Sequence, residues 1–329
     1  MRDHTGSRTC PVRPSQAGWL ALLVLLWFVP GCYRGLPAPP TPLLTLPPPP
    51  ELTPQAILID GSALMHPLVA SLAAAFQRRS PGVQIAVGDS GTRTGFAAFC
   101  SGGLVLHSAL RPMDEEEAAQ CRANNVSWEA LTLAVDAVAV VVSAANDFAG
   151  CLNPAQLASI WRAGSVVQGW QQVNLNYPAL PLVVYAPPAG TLPFVLFQER
   201  VLDGGAIRQP LYEGLPVGPE SIGFLPLSQA LRLAPSLRLL PLVSAASTAQ
   251  GAAGECLLPD EAAAQNGSYL LARPLLLHVN LEALARPEVA RFLQFVLSPE
   301  ADPVIREAGL VPPSAASRWQ ALQRLGLSS

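Results

Sequence analysis

The chain contains no lysine. All 20 of its basic residues are arginine, which excludes Schiff-base chemistry and any other mechanism built on a lysine amine. Charge of either sign is scarce: charged residues make up 13% of the chain and the net charge is −3. A nucleic-acid partner requires a basic patch that neutralises phosphates, and this composition provides none. Histidine is rare, at 4 residues, and no Cys-x-x-Cys occurs, so neither a metal site nor a cofactor is predicted. An apolar run long enough to span a bilayer is absent; the N-terminal candidate is AGWLALLVLLWFVPGC at residues 17–32. It is shorter than the roughly 20 residues that span a bilayer.

That run follows a segment carrying Arg2, Arg8 and Arg13. A positive segment followed by a short apolar core is the order of an export signal. Val29-Pro30-Gly31-Cys32 resembles the bacterial lipobox, with Pro30 standing where a small residue is usual. The expectation is a signal peptide over 1–31 and a lipid on Cys32, with the body extracytoplasmic and anchored to the cell membrane. Residues 32–55 are proline-dense and carry no periodic apolar face. They read as an extended tether, reaching about 60 Å at about 3.1 Å per residue.

Cysteine usage agrees with export. Cys10 lies in the predicted signal and Cys32 would carry lipid, which leaves Cys100, Cys121, Cys151 and Cys256. An even number in an exported chain predicts disulfides, with three pairings open. Cys100 and Cys121 flank a short helical excursion, so we expect that pair, with Cys151 and Cys256 left for each other.

The body alternates strands and helices. AILIDGS reads as a strand that breaks at Gly61-Ser62, and HPLVASLAAAFQRRSPG as a helix with Pro67 in its first turn. GVQIAVGD is a second strand, and TGFAAFCSGG a helix with Thr94 as N-cap. This βαβ pattern implies a parallel sheet. Two unusually long apolar strands are expected near 130–143 and 268–280. Crossing between two α/β lobes, they would form a hinge.

Gly88-Asp89-Ser90-Gly91 is the tetrapeptide that surrounds the nucleophile of chymotrypsin-like proteases. Such an enzyme needs His, Asp and Ser in chain order. In the exported body only His66, inside a helix, precedes Ser90. No catalytic residue is predicted. Ser90 instead reads as a hydroxyl donor in a glycine-bearing loop that opens a helix, the arrangement that holds small anions. His107 and His278 read as surface or core residues, and Asp114–Glu117 as a solvated helix start.

Several segments, in order, resemble the phosphate-binding solute receptors of phosphate ABC transporters, the PstS family, over most of residues 56–315. Gly61-Ser62-Ala63-Leu64 stands where that family has Gly-Ser-Ser-Thr. Ser90-Gly91-Thr92-Arg93-Thr94-Gly95-Phe96 stands for Ser-Gly-Thr-Gly-Gly-Gly-Phe, and VLHSALRP, with Arg111 and Pro112, for Asp-Ile-Ser-x-Ala-Ser-Arg-Pro. VDAVAVVVSAAND, with Asp136, matches the family's hinge strand, and ARPLLLHVN its return strand.

The resemblance implies an α/β, two-lobe type II periplasmic-binding fold. Lobe 1 would comprise 56–138 and 275–329, and lobe 2 139–274. It implies a binding protein rather than an enzyme, a monomer, and an ABC permease as partner. Phosphate or a related small anion would sit between the lobes against Ser62, Ser90, Gly91, Thr92, Arg111, Asp136 and Thr191. The departures are as informative. Where the family has Gly-Pro-Gly-Thr-Asp-Ser-Gly-Thr-Phe, this chain has Ala186-Pro187-Pro188-Ala189-Gly190-Thr191-Leu192-Pro193-Phe194, which keeps few donors. Ala63, Leu64, Val105 and Leu110 replace polar residues, and Arg93 replaces a glycine. Three lost charge-assisted bonds would weaken phosphate binding by about 5–9 kcal/mol. The second reading is therefore the same fold with a less charged or larger ligand, or a surface scaffold. Arg111 has an alternative role as well, in an ion pair with a carboxylate such as Asp136.

Overall fold

The computed structural model describes residues 56–244 and 255–327, all within one unit, Glu51–Ser329. The predicted signal peptide, Cys32 and the tether lie outside the described residues. Among the described residues, no helix is long and apolar enough to cross a membrane.

Among the described residues ten strands can be followed: β1 (Ile57–Gly61), β2 (Ile85–Val87), β3 (Leu106–Ala109), β4 (Trp128–Ser143), β5 (Val183–Val184), β6 (Ser221–Pro226), β7 (Leu237–Leu239), β8 (Leu242–Val243), β9 (Cys256–Leu257) and β10 (Ala272–Asn280). The helices are α1 (His66–Arg79), α2 (Thr92–Cys100), α3 (Glu115–Ala123), α4 (Pro154–Trp161), α5 (Trp170–Val173), α6 (Leu192–Leu202), α7 (Leu227–Arg232), α8 (Glu261–Gln265), α9 (Pro287–Val296), α10 (Asp302–Glu307) and α11 (Ala315–Arg324).

The main sheet runs β2-β1-β3-β10-β4-β6-β5, with β7 also paired to β4. Its outer pairs, β1 with β2, β1 with β3 and β5 with β6, are parallel. The parallel pattern expected from the sequence holds there and fails in the middle. β10 is antiparallel to both β3 and β4, and β4 is antiparallel to β6. A parallel pair needs a crossover such as α1 or α2. β10 instead enters late and runs back between strands already in place.

β4 organises the molecule. From Trp128 to Ala137 it pairs with β10, and from Val138 onward with β6 and β7. Leu133–Val142 are all buried, as expected of a strand covered on both faces. Its first part shares a core with β1, α1 and α9, where Phe76 meets Phe292 edge-on at 5.4 Å. Its second part lies in another core, in which Phe197 stacks on Phe224 at 4.0 Å beside Trp161.

Both expected disulfides are present, Cys100–Cys121 and Cys151–Cys256. The first ties the end of α2 to α3, and the second joins residues 105 positions apart. Two local expectations need correction. α2 begins at Thr92 with Gly91 as N-cap, not at Thr94. Gly91 adopts φ +96°, which a glycine reaches without strain, so the N-cap lies three residues earlier than expected. The acidic run is not simply solvated. Asp114 caps α3 by accepting from the Glu117 N–H, while Glu117 itself is buried.

Candidate functional site

The site is built where β1 ends. Gly61 has φ +148°, and a Cβ there would lie 2.0 Å from the Ser108 carbonyl oxygen, so β1 and β3 approach as only glycine allows. The Ser62 N–H donates to that same carbonyl at 2.9 Å. The loop between β2 and α2 then folds against the end of β1. The Gly91 N–H donates to the Gly61 carbonyl at 2.9 Å.

Asp60 sits inside this junction. Its Oδ1 accepts from the Gly61 N–H at 2.7 Å and from the Ser90 N–H at 2.9 Å. Its Oδ2 accepts from the Ser90 hydroxyl at 2.7 Å. Burial would raise the pKa of Asp60, but the bonds from Ser90 and Gly61, with His107 nearby, hold it below the ordinary carboxylate value. Gly88 keeps the loop close, since a Cβ there would come within 2.8 Å of Asp60 Oδ1. The hydroxyl of Ser90 therefore meets a carboxylate rather than a histidine. His66, the histidine ahead of it, directs Nδ1 toward the Gly88 carbonyl at 3.3 Å.

Arg111 lies just beyond β3 and is engaged elsewhere. Nη1 and Nη2 donate to the two Glu117 carboxylate oxygens, each at 2.7 Å, and the guanidinium carbon lies 5.4 Å from the Phe96 ring centre. The Glu117 hydrogen bond raises the pKa of Arg111. Asp136, near the middle of β4, pairs with Arg273 of β10 at 3.1 Å, both side chains being 5% exposed or less. Arg273 also reaches Glu199 on α6. Burial pushes Asp136 up to about 6 against the opposing pull of Arg273. The pairing of Arg111 with Asp136, the alternative left open by the sequence, is thus replaced by two separate pairs.

Thr191 is the N-cap of α6, and its hydroxyl donates to the Pro188 carbonyl at 2.7 Å. It lines a cavity of about 580 Å³ together with Ala63, Leu64 and Pro67 at the start of α1, Leu192 and Pro193 of α6, and Val304, Glu307 and Leu310 around α10. Four positions at which the chain departs from the anion-binding pattern, Ala63, Leu64, Leu192 and Pro193, converge on this one space.

The structure thus brings Ser62, Ser90, Gly91 and Thr92 together at the end of β1, and puts Thr191 on the neighbouring cavity. It sets Arg111 against Glu117 and Asp136 against Arg273. Arg93 points outward from α2 and is exposed. Sequence reasoning missed Asp60. The available signal was a carboxylate directly before the Gly-Ser break in LIDGS. His107 and His278 prove to be core residues. They are register partners on β3 and β10, 0% and 1% exposed, with ring centres 5.9 Å apart. Burial pushes both down to about 4. Among the described residues, no group of three or more His, Cys, Asp or Glu is placed to hold a metal ion.

Comparison with known proteins completes the description. A model of the PBP superfamily domain matches residues 48–300. Protein SphX of Synechococcus elongatus is 31% identical over 280 residues, covering 82% of this chain and 80% of that protein. Phosphate-binding protein PstS of Staphylococcus saprophyticus is 26% identical over 246 residues, covering 72% of this chain and 74% of its own. The crystal structure of a possible phosphate binding protein from Planctomyces limnophilus superposes with a TM-score of 0.71 at 28% identity, over 82% of this chain and 97% of that one. PstS of Borrelia burgdorferi, with a TM-score of 0.60 at 16% identity over 79% of this chain and 100% of that one, shares the fold.

Proposed function

This chain belongs to the PBP superfamily, and from that premise we propose that it is an extracytoplasmic solute receptor of the phosphate-binding type. It takes phosphate or a related small anion between two lobes and delivers it to an ABC permease. The observation that carries this reading is the match, over about four-fifths of the chain, to SphX and to a crystallised phosphate-binding relative. The glycine-bearing loop at Ser90–Thr92, seated on the end of β1, supports it locally.

We assign residues 56–138 and 275–329 to lobe 1 and 139–274 to lobe 2; the two cores support this division in outline, with Val135, Ala137, Val138 and Val311 packed on the lobe 2 side. Retention outside the membrane by a lipid on Cys32 rests on the N-terminal sequence pattern alone. A binding role rather than catalysis is supported by the relatives, among them the phosphate-binding protein PstS of Staphylococcus saprophyticus.

In this reading the anion contacts Ser62, Ser90, Gly91 and Thr92 from lobe 1 and Thr191 from lobe 2. Arg111 supplies the full positive charge once it turns from Glu117 toward the cleft. Its side chain is 41% exposed. Asp136 acts through its ion pair with Arg273 and not by touching the ligand. A second reading, a larger or less charged ligand in the same fold, is favoured by the apolar cavity at Leu64, Leu192 and Pro193. The cavity is roomier than a tetrahedral oxyanion requires.

Calorimetric titration of inorganic phosphate into wild type and Arg111→Ala decides between them. Binding that weakens about tenfold or more in the variant supports the anion receptor, since a charge-assisted bond contributes about 1.5–3 kcal/mol. A wild type that ignores millimolar phosphate leaves the second reading.

A further inference from the structure

The loop proposed to hold the anion already holds one. We propose that Asp60 is a resident counter-anion that occupies the first-lobe half-site and sets its affinity, so that an external oxyanion binds only by displacing the Asp60 carboxylate. The inference rests on the receptor reading above.

The geometry leaves little room for both anions. The Gly61 and Ser90 N–H groups carry one proton each, and both are directed at Asp60 Oδ1. The single proton of the Ser90 hydroxyl is directed at Oδ2. The Gly91 N–H, the next donor along the loop, is engaged by the Gly61 carbonyl. An oxyanion that claimed the same donors would stand within a few ångströms of a like charge, which opposes binding. Ser90, the partner of Asp60, immediately precedes Gly91, the N-cap of α2, a place where negative charge is favoured.

Asp60 is also reachable from solvent. It is half-buried, not sealed, and Ser90, its principal side-chain partner, lies on the exposed loop. Gly88 has no side chain to lock the carboxylate in place, and a Cβ there would collide with it. The arrangement makes Asp60 a specificity-determining residue. A ligand must offer more than a bare oxyanion to compete with a carboxylate that is covalently part of the site. An additional group that fills the adjoining cavity at Leu64 and Leu192 would provide that advantage.

The test is calorimetric titration of inorganic phosphate, and separately sulfate, into wild type, Asp60→Asn and Asp60→Ser. Asparagine keeps the shape and an acceptor for the two N–H groups without the charge, and serine removes the carboxylate from the Gly61 and Ser90 donors. Melting curves establish that each variant is folded. Both variants are expected to bind phosphate at least tenfold more tightly than wild type, with sulfate gaining in parallel. Phosphate that binds wild type and both variants equally, or binds the variants more weakly, overturns the role of Asp60 and leaves the receptor reading standing. Failure of both variants to fold also overturns it, because Asp60 would then be a structural clamp. Phosphate that binds none of the three overturns the receptor reading and this inference together.

Discussion

His107 and His278 show what single residues contribute here. Each is a buried imidazole packed against Phe96 and Phe99. Both nitrogens of His107 and Nδ1 of His278 lack a hydrogen-bond partner. Their pKa values, pushed to about 4, lie below the ordinary 6.5. Between those values the unfolded chain binds more protons than the folded one, so stability falls as pH drops from 6.5 toward 4. Asp136 acts with the opposite sign. Its pKa of about 6 exceeds the ordinary 3.8, so acidification through that range favours the folded state. Two histidines outweigh one carboxylate of similar displacement, each acting with about 3 kcal/mol at most. We expect the melting temperature to fall between pH 7 and pH 4.5, and to fall less in His107→Leu. A flat profile in wild type would show that the imidazoles are solvated in the folded protein.

At the scale of elements, two glycines that look alike in sequence do different work. Gly91 turns the chain into α2 at φ +96°, with nothing within 4 Å of the site a Cβ would occupy. Gly61 sits between β1 and β3, where a Cβ would lie 2.0 Å from the Ser108 carbonyl. Gly91→Ala meets backbone strain alone and should cost about 1–3 kcal/mol. Gly61→Ala must force two paired strands apart, and we expect it to destabilise by more than 3 kcal/mol or to prevent folding. Urea denaturation of the two variants checks the order, and equal losses would refute the close approach at Gly61. The two disulfides act on the same scale. In the chain-entropy picture the Cys151–Cys256 bond, closing the longer loop, stabilises by about 4–5 kcal/mol and the Cys100–Cys121 bond by about 3 kcal/mol.

For the whole molecule, the decisive feature is that one strand serves two cores. β4 pairs with β10 over Trp128–Ala137 and with β6 and β7 beyond it. The buried ion pair of Asp136 and Arg273 lies near that change of partners, and Arg273 reaches from there to Glu199 of α6. Lobe motion of the hinge class would bend β4 and β10 at this point. Small-angle scattering with and without saturating ligand is expected to show a smaller radius of gyration in the bound state. An unchanged radius with a ligand proven to bind would place recognition on one lobe alone. Replacing Arg273 by Ala would leave a buried carboxylate uncompensated, a change that typically costs about 3–5 kcal/mol.

The sequence by itself determined the elements whose cause is local. The apolar run of β4 needs a sheet covered on both faces, Pro67 starts α1, and the motif order leads to the family. Cysteine placement was legible to the level of pairing, because Cys100 and Cys121 bracket a short excursion. What tertiary structure decided is everything that depends on partners distant in the chain. The central antiparallel pairs follow from where β10 inserts, which no local pattern encodes. Asp60 and Ser90 are 30 residues apart, and only the packing of the β2–α2 loop against β1 turns a candidate anion donor into the partner of a carboxylate. Arg111 took Glu117, and Asp136 took Arg273, because each charge is neutralised by the nearest opposite charge that the fold supplies within its own desolvated surroundings, and distance in space is not written in residue number.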